Sequence, residues 1–191
     1  MRLRRFYLLL SCFVALPGLL ACSEEDPAPL FFKIDYQVRC IDCEPRSMDD
    51  PSRAIRGLDG ERGFAVSCRA TRQGGDRIAT FSAMHTDTGD PANNYGITID
   101  QVNLDGGDPG SSCRVSVIEG NNTYEGVCAP DEPEPPNAPC QVELELDGDV
   151  IQGSVYCDDI PNRSTTMITR YVVAPGEDAP ADFEVQGCTG L

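Results

Sequence analysis

The chain of 191 residues contains no tryptophan and only one histidine, His85. A catalytic triad with a histidine base therefore has a single candidate, and no serine lies in the sequence context of a nucleophile elbow. If Gly74-Gly75 is a two-residue turn, His85 falls opposite Phe64 at the end of a sheet, a position typical of a packed or exposed side chain. The lack of tryptophan also removes the preferred aromatic surface for stacking sugar rings. These absences argue against a hydrolase with a histidine-based catalytic triad and against a glycosidase.

Basic residues are scarce, since 15 lysines and arginines stand against 31 acidic residues. Three of the arginines lie within the first 21 residues, so 12 basic residues remain beyond that segment and the formal charge there is −19. Such an acidic surface repels nucleic acid and anionic membrane surfaces, and it suits cations or a basic partner. We therefore expect no nucleic-acid partner. The remaining residues, about 170, suffice for one domain with a hydrophobic core.

Long apolar runs are absent after residue 22, and a single run precedes it. A cationic start, Met1–Arg5, leads into the apolar stretch Phe6–Ala21. That stretch is shorter than the roughly 20 apolar residues of a membrane-spanning helix, and Pro17-Gly18 interrupts it. Residues 1–21 are therefore predicted to be a secretory signal peptide.

The end of this run, Leu19-Leu20-Ala21-Cys22, resembles the lipobox of bacterial lipoproteins. The resemblance implies cleavage before Cys22, whose thiol then carries a diacylglycerol and whose new amino group is acylated. Several acyl chains hold a protein stably at a membrane, whereas one chain holds it weakly. The alternative is an ordinary signal peptide cut nearby, which leaves Cys22 as an unmodified thiol.

Residues 22–29 would then tether the folded domain to the lipid. The stretch is acidic and contains two prolines, so it does not fold on its own. About eight residues reach at most about 26 Å, which keeps the domain close to the membrane. By the enteric sorting pattern, Ser23 after the cysteine implies the outer membrane. We expect a lipid-anchored protein of the cell envelope, on either the periplasmic or the surface side.

Cysteine is abundant: of ten, eight remain once Cys12 leaves with the signal peptide and Cys22 is lipidated. An even number of cysteines in an exported protein indicates disulfide bonds. Cys40 and Cys43 have redox-motif spacing, but Glu44-Pro45 follows and no amphipathic helix that would lower the thiol pKa is visible. Structural bridges, and no metal site, are therefore expected for Cys40, Cys43, Cys68, Cys113, Cys128, Cys140, Cys157 and Cys188.

Apolar and polar residues alternate along most of the chain after residue 30, and no long stretch has a helical period. Two-residue turns at Gly74-Gly75, Gly120-Asn121 and Gly148-Asp149 fold such stretches into hairpins with their apolar side chains on one face. About nine short strands with turns roughly every eight to twelve residues predict an all-β domain over residues 30–191. We expect a single antiparallel β-sandwich tied by disulfides, with a jelly roll, an Ig-like arrangement or an open barrel as alternatives.

Two of these hairpins place cysteines opposite each other. In the registers set by their turns, Cys113 lies opposite Cys128 and Cys140 lies opposite Cys157. Opposed residues of an antiparallel pair have Cα atoms about 4.5 or 5.5 Å apart, a separation that a disulfide accepts. Both bridges are therefore predicted, and pairing across the linker, such as Cys128–Cys140, is the alternative.

The remaining four cysteines have no such register. Cys40 ends the first predicted strand and Cys188 ends the last, which favours a Cys40–Cys188 bridge. Cys43–Cys68 is then the fourth pair.

Carboxylates are the other candidate functional groups. Glu143, Glu145 and Asp147 lie on one outward face of a predicted strand, where two could act as acid and base if one were desolvated. Solvated, the same residues keep an outer strand from aggregating. Aspartate-rich turns could hold calcium, although none has EF-hand spacing and Asp-Gly pairs are ordinary turn residues. The calcium candidates are Asp87, Asp90, Asp105, Asp108, Asp147 and Asp149.

Together these observations favour a non-catalytic, lipid-anchored envelope protein with a binding or structural role. Its partner would be another envelope protein, and no cofactor is expected. Two alternatives stay open, a secreted hydrolase that uses carboxylates and a calcium-dependent adhesion module. A hydrolase should show a concave cluster of desolvated acids, whereas a binding module should show a flat or loop-built patch.

Lipidation is the first testable consequence. The wild-type chain should incorporate labelled palmitate and partition into detergent, because Leu19-Leu20-Ala21-Cys22 ends the apolar run. The Cys22→Ser variant should lose both properties. Continued labelling of that variant would show that the lipobox interpretation is wrong.

Overall fold

The computed structural model describes residues 28–40, 52–106, 113–128, 139–163 and 169–191. Within these ranges the chain is almost entirely β-structure, arranged as two antiparallel sheets that pack together. The predicted antiparallel β-sandwich is thus confirmed. The strands are β1 (Phe31–Cys40), β2 (Ser52–Leu58), β3 (Phe64–Gln73), β4 (Asp76–His85), β5 (Tyr95–Asn103), β6 (Arg114–Glu119), β7 (Asn122–Val127), β8 (Cys140–Asp147), β9 (Val150–Pro161), β10 (Thr169–Val173) and β11 (Ala181–Gln186).

Sheet A contains six strands, and β1 is close to its centre. On one side β1 pairs with β2, and on the other it pairs with β11 along its first half and with β10 along its second. Both β10 and β11 also pair with β9, whose far side carries β8. The strands at the two edges of sheet A are therefore β2 and β8.

Sheet B is a five-strand meander in the order β3-β4-β5-β6-β7. The predicted hairpin turns fall where the sequence places them, at Gly74-Gly75 and Gly120-Asn121 in sheet B and at Gly148-Asp149 in sheet A. Gly74, Gly120 and Gly148 all have positive φ. Glycine adopts this backbone conformation without the steric cost that a side chain would add. The short turns therefore fix the register of all three hairpins.

The strands of the two sheets cross at a steep angle. From Arg53 to Gly57, β2 covers about 13 Å. A Cβ added at Gly57 would lie 3.4 Å from the Phe64 ring, and Arg53 binds Glu119. Phe64 and Glu119 belong to one cross-strand row of sheet B and are three strand spacings apart, about 14 Å. Strand β2 therefore runs across the strands of sheet B, as in orthogonal packing.

The core lies between the inward faces of the two sheets. Phe32 of β1, Phe81 of β4 and Phe183 of β11 meet there, with ring centroids 5.2 to 6.4 Å apart. Phe183 also covers Gly153, where an added Cβ would come within 2.8 Å of its ring and 2.2 Å of the Glu143 carbonyl oxygen. Any larger residue at position 153 would separate β8 from β9.

Disulfides join strands within and beside the sheets. Cys113 bonds to Cys128 with Cα atoms 5.2 Å apart, and Cys140 bonds to Cys157 with Cα atoms 4.0 Å apart. Both pairs are those that the hairpin registers predict. Cys128 forms an isolated β-bridge with Cys140, so the two disulfides are neighbours where the edge of sheet B meets sheet A.

The expected pairing of the other four cysteines is wrong. Cys68 bonds to Cys188, with Cα atoms 4.8 Å apart, and not to Cys43. The last residues of the chain run beside β3, since the Ala70 N–H donates to the Thr189 carbonyl oxygen at 2.8 Å. Cys40 is also disulfide-bonded, and its partner lies outside the described residues, as Cys43 does.

Loop length predicts which bridge contributes most to stability. The Cys68–Cys188 bond closes 120 residues and the Cys113–Cys128 bond closes 15. The chain-entropy relation assigns about 5 kcal/mol to the longer loop and about 3 kcal/mol to the shorter. In urea titrations, Cys68→Ala/Cys188→Ala should therefore lower the free energy of unfolding more than Cys113→Ala/Cys128→Ala does. A larger loss from the short-loop variant would contradict this ranking.

Candidate functional site

An open groove of about 780 Å³ lies on the outer face of sheet A. Because side chains alternate along a strand, the polar residues between the buried core residues point to this face, and some of them line the groove. We call this surface the acidic groove. Its charged side chains are Lys33, Asp35, Arg56, Glu143, Glu145, Asp182 and Glu184.

Cross-strand pairing sets the arrangement of these charges. One row runs from Glu145 on β8 through Gln152 and Glu184 to Lys33 and Arg56. Negative charge therefore lies at the β8 end of this row and positive charge at the β2 end.

A second row lies one pleat further along and places Glu143 and Asp182 on either side of Ser154. Arg56 forms an ion pair with Asp35. Five carboxylates thus face two cations, one of which is already paired, and the β8 side of the groove carries the uncompensated negative charge.

The loop between β10 and β11 forms one wall of the groove. It is closed by a hydrogen bond from the Ala174 N–H to the Ala179 carbonyl oxygen at 2.8 Å. Asp178 forms an ion pair with Arg39, and the Gly176 N–H donates to Gln37 Oε1 at 3.3 Å. The wall is therefore fixed to β1 by polar contacts.

Two half-buried tyrosines, Tyr156 and Tyr171, extend this outer face beyond the groove. Burial raises the pKa of Tyr156, and the charges of Asp158 and Asp178 add to the effect. Burial, followed by a hydrogen bond with Asp158, raises the pKa of Tyr171 to about 12. Aromatic rings beside carboxylates attract cations through both the ring face and the charge. The surface as a whole can bind a cationic ligand.

The three predicted carboxylates lie on β8 as expected. Glu143 and Glu145 line the acidic groove, whereas Asp147 ends the strand next to the turn. All three side chains are exposed to solvent. A general acid works near neutral pH when its carboxyl group is desolvated, and exposure to solvent does not supply that environment. The patch is open to solvent.

His85 packs in an aromatic row. Its ring centroid lies 5.1 Å from that of Phe64 and 4.9 Å from that of Tyr95. Within the described ranges, its Nδ1 is buried without a hydrogen-bond partner. The position opposite Phe64 agrees with the register expected from the sequence. The sole histidine therefore acts as a packing residue here.

A polar contact that sequence patterns did not indicate joins the two sheets. Arg53 of β2 donates from Nε and Nη2 to Glu119 of β6 at 3.0 and 2.7 Å, and its guanidinium lies 4.8 Å from the Tyr95 ring centroid. Tyr36, the cross-strand partner of Arg53, is fully buried, and its hydroxyl has no hydrogen-bond partner in the described part of the chain. Burial, followed by the charge of Glu119, raises the pKa of Tyr36 well above its usual value.

Two of the calcium candidates, Asp87 and Asp90, are held by turn contacts. Asp87 accepts the Gly89 N–H at 2.8 Å, and this bond, followed by one from Asn93, lowers the pKa of Asp87. Asp90 caps the short 3₁₀ turn Pro91–Asn93.

Arg77 holds Asp105, and its side-chain hydrogen bond lowers the pKa of that carboxyl. Asp147 ends β8, Asp149 lies in the β8–β9 turn, and both are exposed. Across the described residues, no group of three or more His, Cys, Asp or Glu side chains has an arrangement that could hold a metal ion. Asp108, like the lipidation residue Cys22, lies outside those residues.

No family model, curated protein or solved structure matches this chain. In the described ranges, no helix is long and apolar enough to cross a membrane.

The buried Tyr36 hydroxyl makes a testable prediction about stability. Tyr36→Phe should leave the free energy of unfolding unchanged or raise it by up to about 1 kcal/mol, because a buried hydroxyl without a partner is costly. Above pH 10 the unfolded wild type loses the Tyr36 proton and the folded protein keeps it, so stability falls as pH rises. The variant should lose less stability over that range in urea titrations. Arg53→Met is the control. It removes the Arg53 partner of the half-buried Glu119 and should therefore lower the free energy of unfolding both at neutral pH and above pH 10.

Proposed function

We propose that this chain is a lipid-anchored, non-catalytic binding protein of the cell envelope, and that its acidic groove binds a basic segment of a partner protein. The lipobox-like segment ending at Cys22 supports the anchor. The excess of carboxylates along the β8 side of an open groove carries the binding part of the proposal. Both parts are compatible with the formal charge of −19 beyond residue 21.

The position of the groove suits an anchored receptor. Strand β1 begins at Phe31, directly after the tether, and Lys33 near its start already lines the groove. A tether of about eight residues holds this region within about 26 Å of the membrane. A partner bound there would lie close to the membrane surface, and its basic residues would contact the carboxylates of β8 and β11.

Charge variants test this function. The mature chain with Cys22→Ser should bind a labelled oligolysine peptide, measured by fluorescence anisotropy, and raised salt should weaken the complex. Glu143→Gln/Glu145→Gln should reduce affinity about tenfold, since it removes two charges from the groove.

A matched control removes the same charge elsewhere. Glu61 and Asp149 are exposed and lie outside the groove, so Glu61→Gln/Asp149→Asn should bind the peptide nearly as well as the wild type. Equal losses in both variants would mean that net charge alone attracts the peptide, and the groove assignment would then be wrong.

A further inference from the structure

The edges of the two sheets differ in whether neighbouring segments cover them. On β3 the Ala70 N–H donates to the Thr189 carbonyl oxygen, and on β7 the Thr123 carbonyl oxygen accepts the Arg163 N–H, each at 2.8 Å. Both edges of sheet B are thus partly paired. In sheet A, β8 pairs on one side with β9, and within the described ranges only its first residue, Cys140, is bridged on the other side, to Cys128. No other residue of the described ranges pairs with the rest of that edge, which we call the open edge.

The pairing of β8 with β9 decides which backbone groups of β8 bond to β9 and which face the open edge. The Asp158 N–H donates to the Pro139 carbonyl oxygen at 2.6 Å, so residues 139 and 158 form a hydrogen-bonded pair. Such pairs alternate with non-hydrogen-bonded ones along an antiparallel ladder. The odd-numbered residues of β8 therefore bond to β9, and Val142, Leu144 and Leu146 direct their N–H and C=O groups to the open edge. The Cα separation of Cys140 and Cys157, 4.0 Å, agrees with a non-hydrogen-bonded pair.

The two faces of this edge have different chemistry. Leu144 and Leu146 point toward the core side but are only half-buried, because they lie at the margin of the sandwich. Glu143 and Glu145 point to the outer side and are exposed. The open edge thus presents backbone donors and acceptors between a row of leucines and a row of carboxylates.

We propose that β8 accepts an added antiparallel strand from a partner protein, in which apolar residues alternate with lysine or arginine. This deepens the proposed function, on which it rests, by naming how the basic segment is held. The apolar residues of the added strand would cover Leu144 and Leu146, and its cations would lie opposite Glu143 and Glu145. Main-chain hydrogen bonds would supply affinity and the alternation would supply specificity.

The same carboxylates select against a second copy of this chain. If β8 paired with another β8 about Leu144, Glu143 would lie opposite Glu145 of the other copy, and like charges directly opposite destabilise a strand pair. The other edge strand of sheet A is less suitable. In β2, Arg53 is paired with Glu119 and Arg56 with Asp35. This edge therefore does not offer a row of apolar side chains beside a row of unpaired charges.

A proline at position 144 isolates the backbone contribution. The Leu144 N–H points to the open edge, so Leu144→Pro removes a donor to the added strand and no bond to β9. Leu144→Ala is the matched control, which keeps the N–H and loses the same leucine side chain. The probes are two labelled peptides of equal composition, one alternating valine with lysine and one with the valines and lysines in separate blocks.

In anisotropy titrations with the mature Cys22→Ser chain, the alternating peptide should bind about tenfold more tightly than the block peptide. Leu144→Pro should weaken binding of the alternating peptide about tenfold relative to Leu144→Ala and leave the block peptide unaffected. N-methylation of the peptide amides that face β8 should have the same effect, and it needs no protein variant. Equal binding of both peptides would overturn strand addition and leave the basic-segment function standing. Failure of both peptides to bind would overturn that function as well.

Discussion

The pairing register of the hairpins is the constraint on which the rest of the structure depends. Side chains alternate with a period of two, so a slip of one residue would exchange the buried and exposed faces of a strand. Glycines with positive φ in the two-residue turns prevent that slip at Gly74, Gly120 and Gly148. The same registers decide that Cys113 meets Cys128, that Cys140 meets Cys157, and which backbone amides of β8 point away from β9. The core, these two disulfides and the open edge thus have a common origin.

Sheet packing divides the surface into regions of different chemistry. The inward faces are buried in the orthogonal contact around Phe32, Phe81 and Phe183. The outward face of sheet A carries the five groove carboxylates, while one cross-strand row on the outward face of sheet B contains Ser67, Ser82 and Thr98. Five acidic side chains therefore lie together on one outer surface, the acidic groove of sheet A.

Short-range features could be predicted from the sequence. The alternation in Phe31–Cys40, the three turns and the bridges Cys113–Cys128 and Cys140–Cys157 all depend on residues close together in the chain. The predicted outward face of β8 was also found, since it follows from the same period. The sequence predicts about nine strands, and the described residues form eleven.

Sequence alone determined the β class, the hairpin registers and the position of the acidic strand, because local turn geometry and side-chain alternation are written in neighbouring residues. Tertiary structure decided the contacts between segments far apart in the chain. Cys68 meets Cys188 because the end of the chain runs along β3, and Arg53 meets Glu119 because β2 crosses sheet B. No local pattern encodes either contact, since each depends on how two complete sheets pack together.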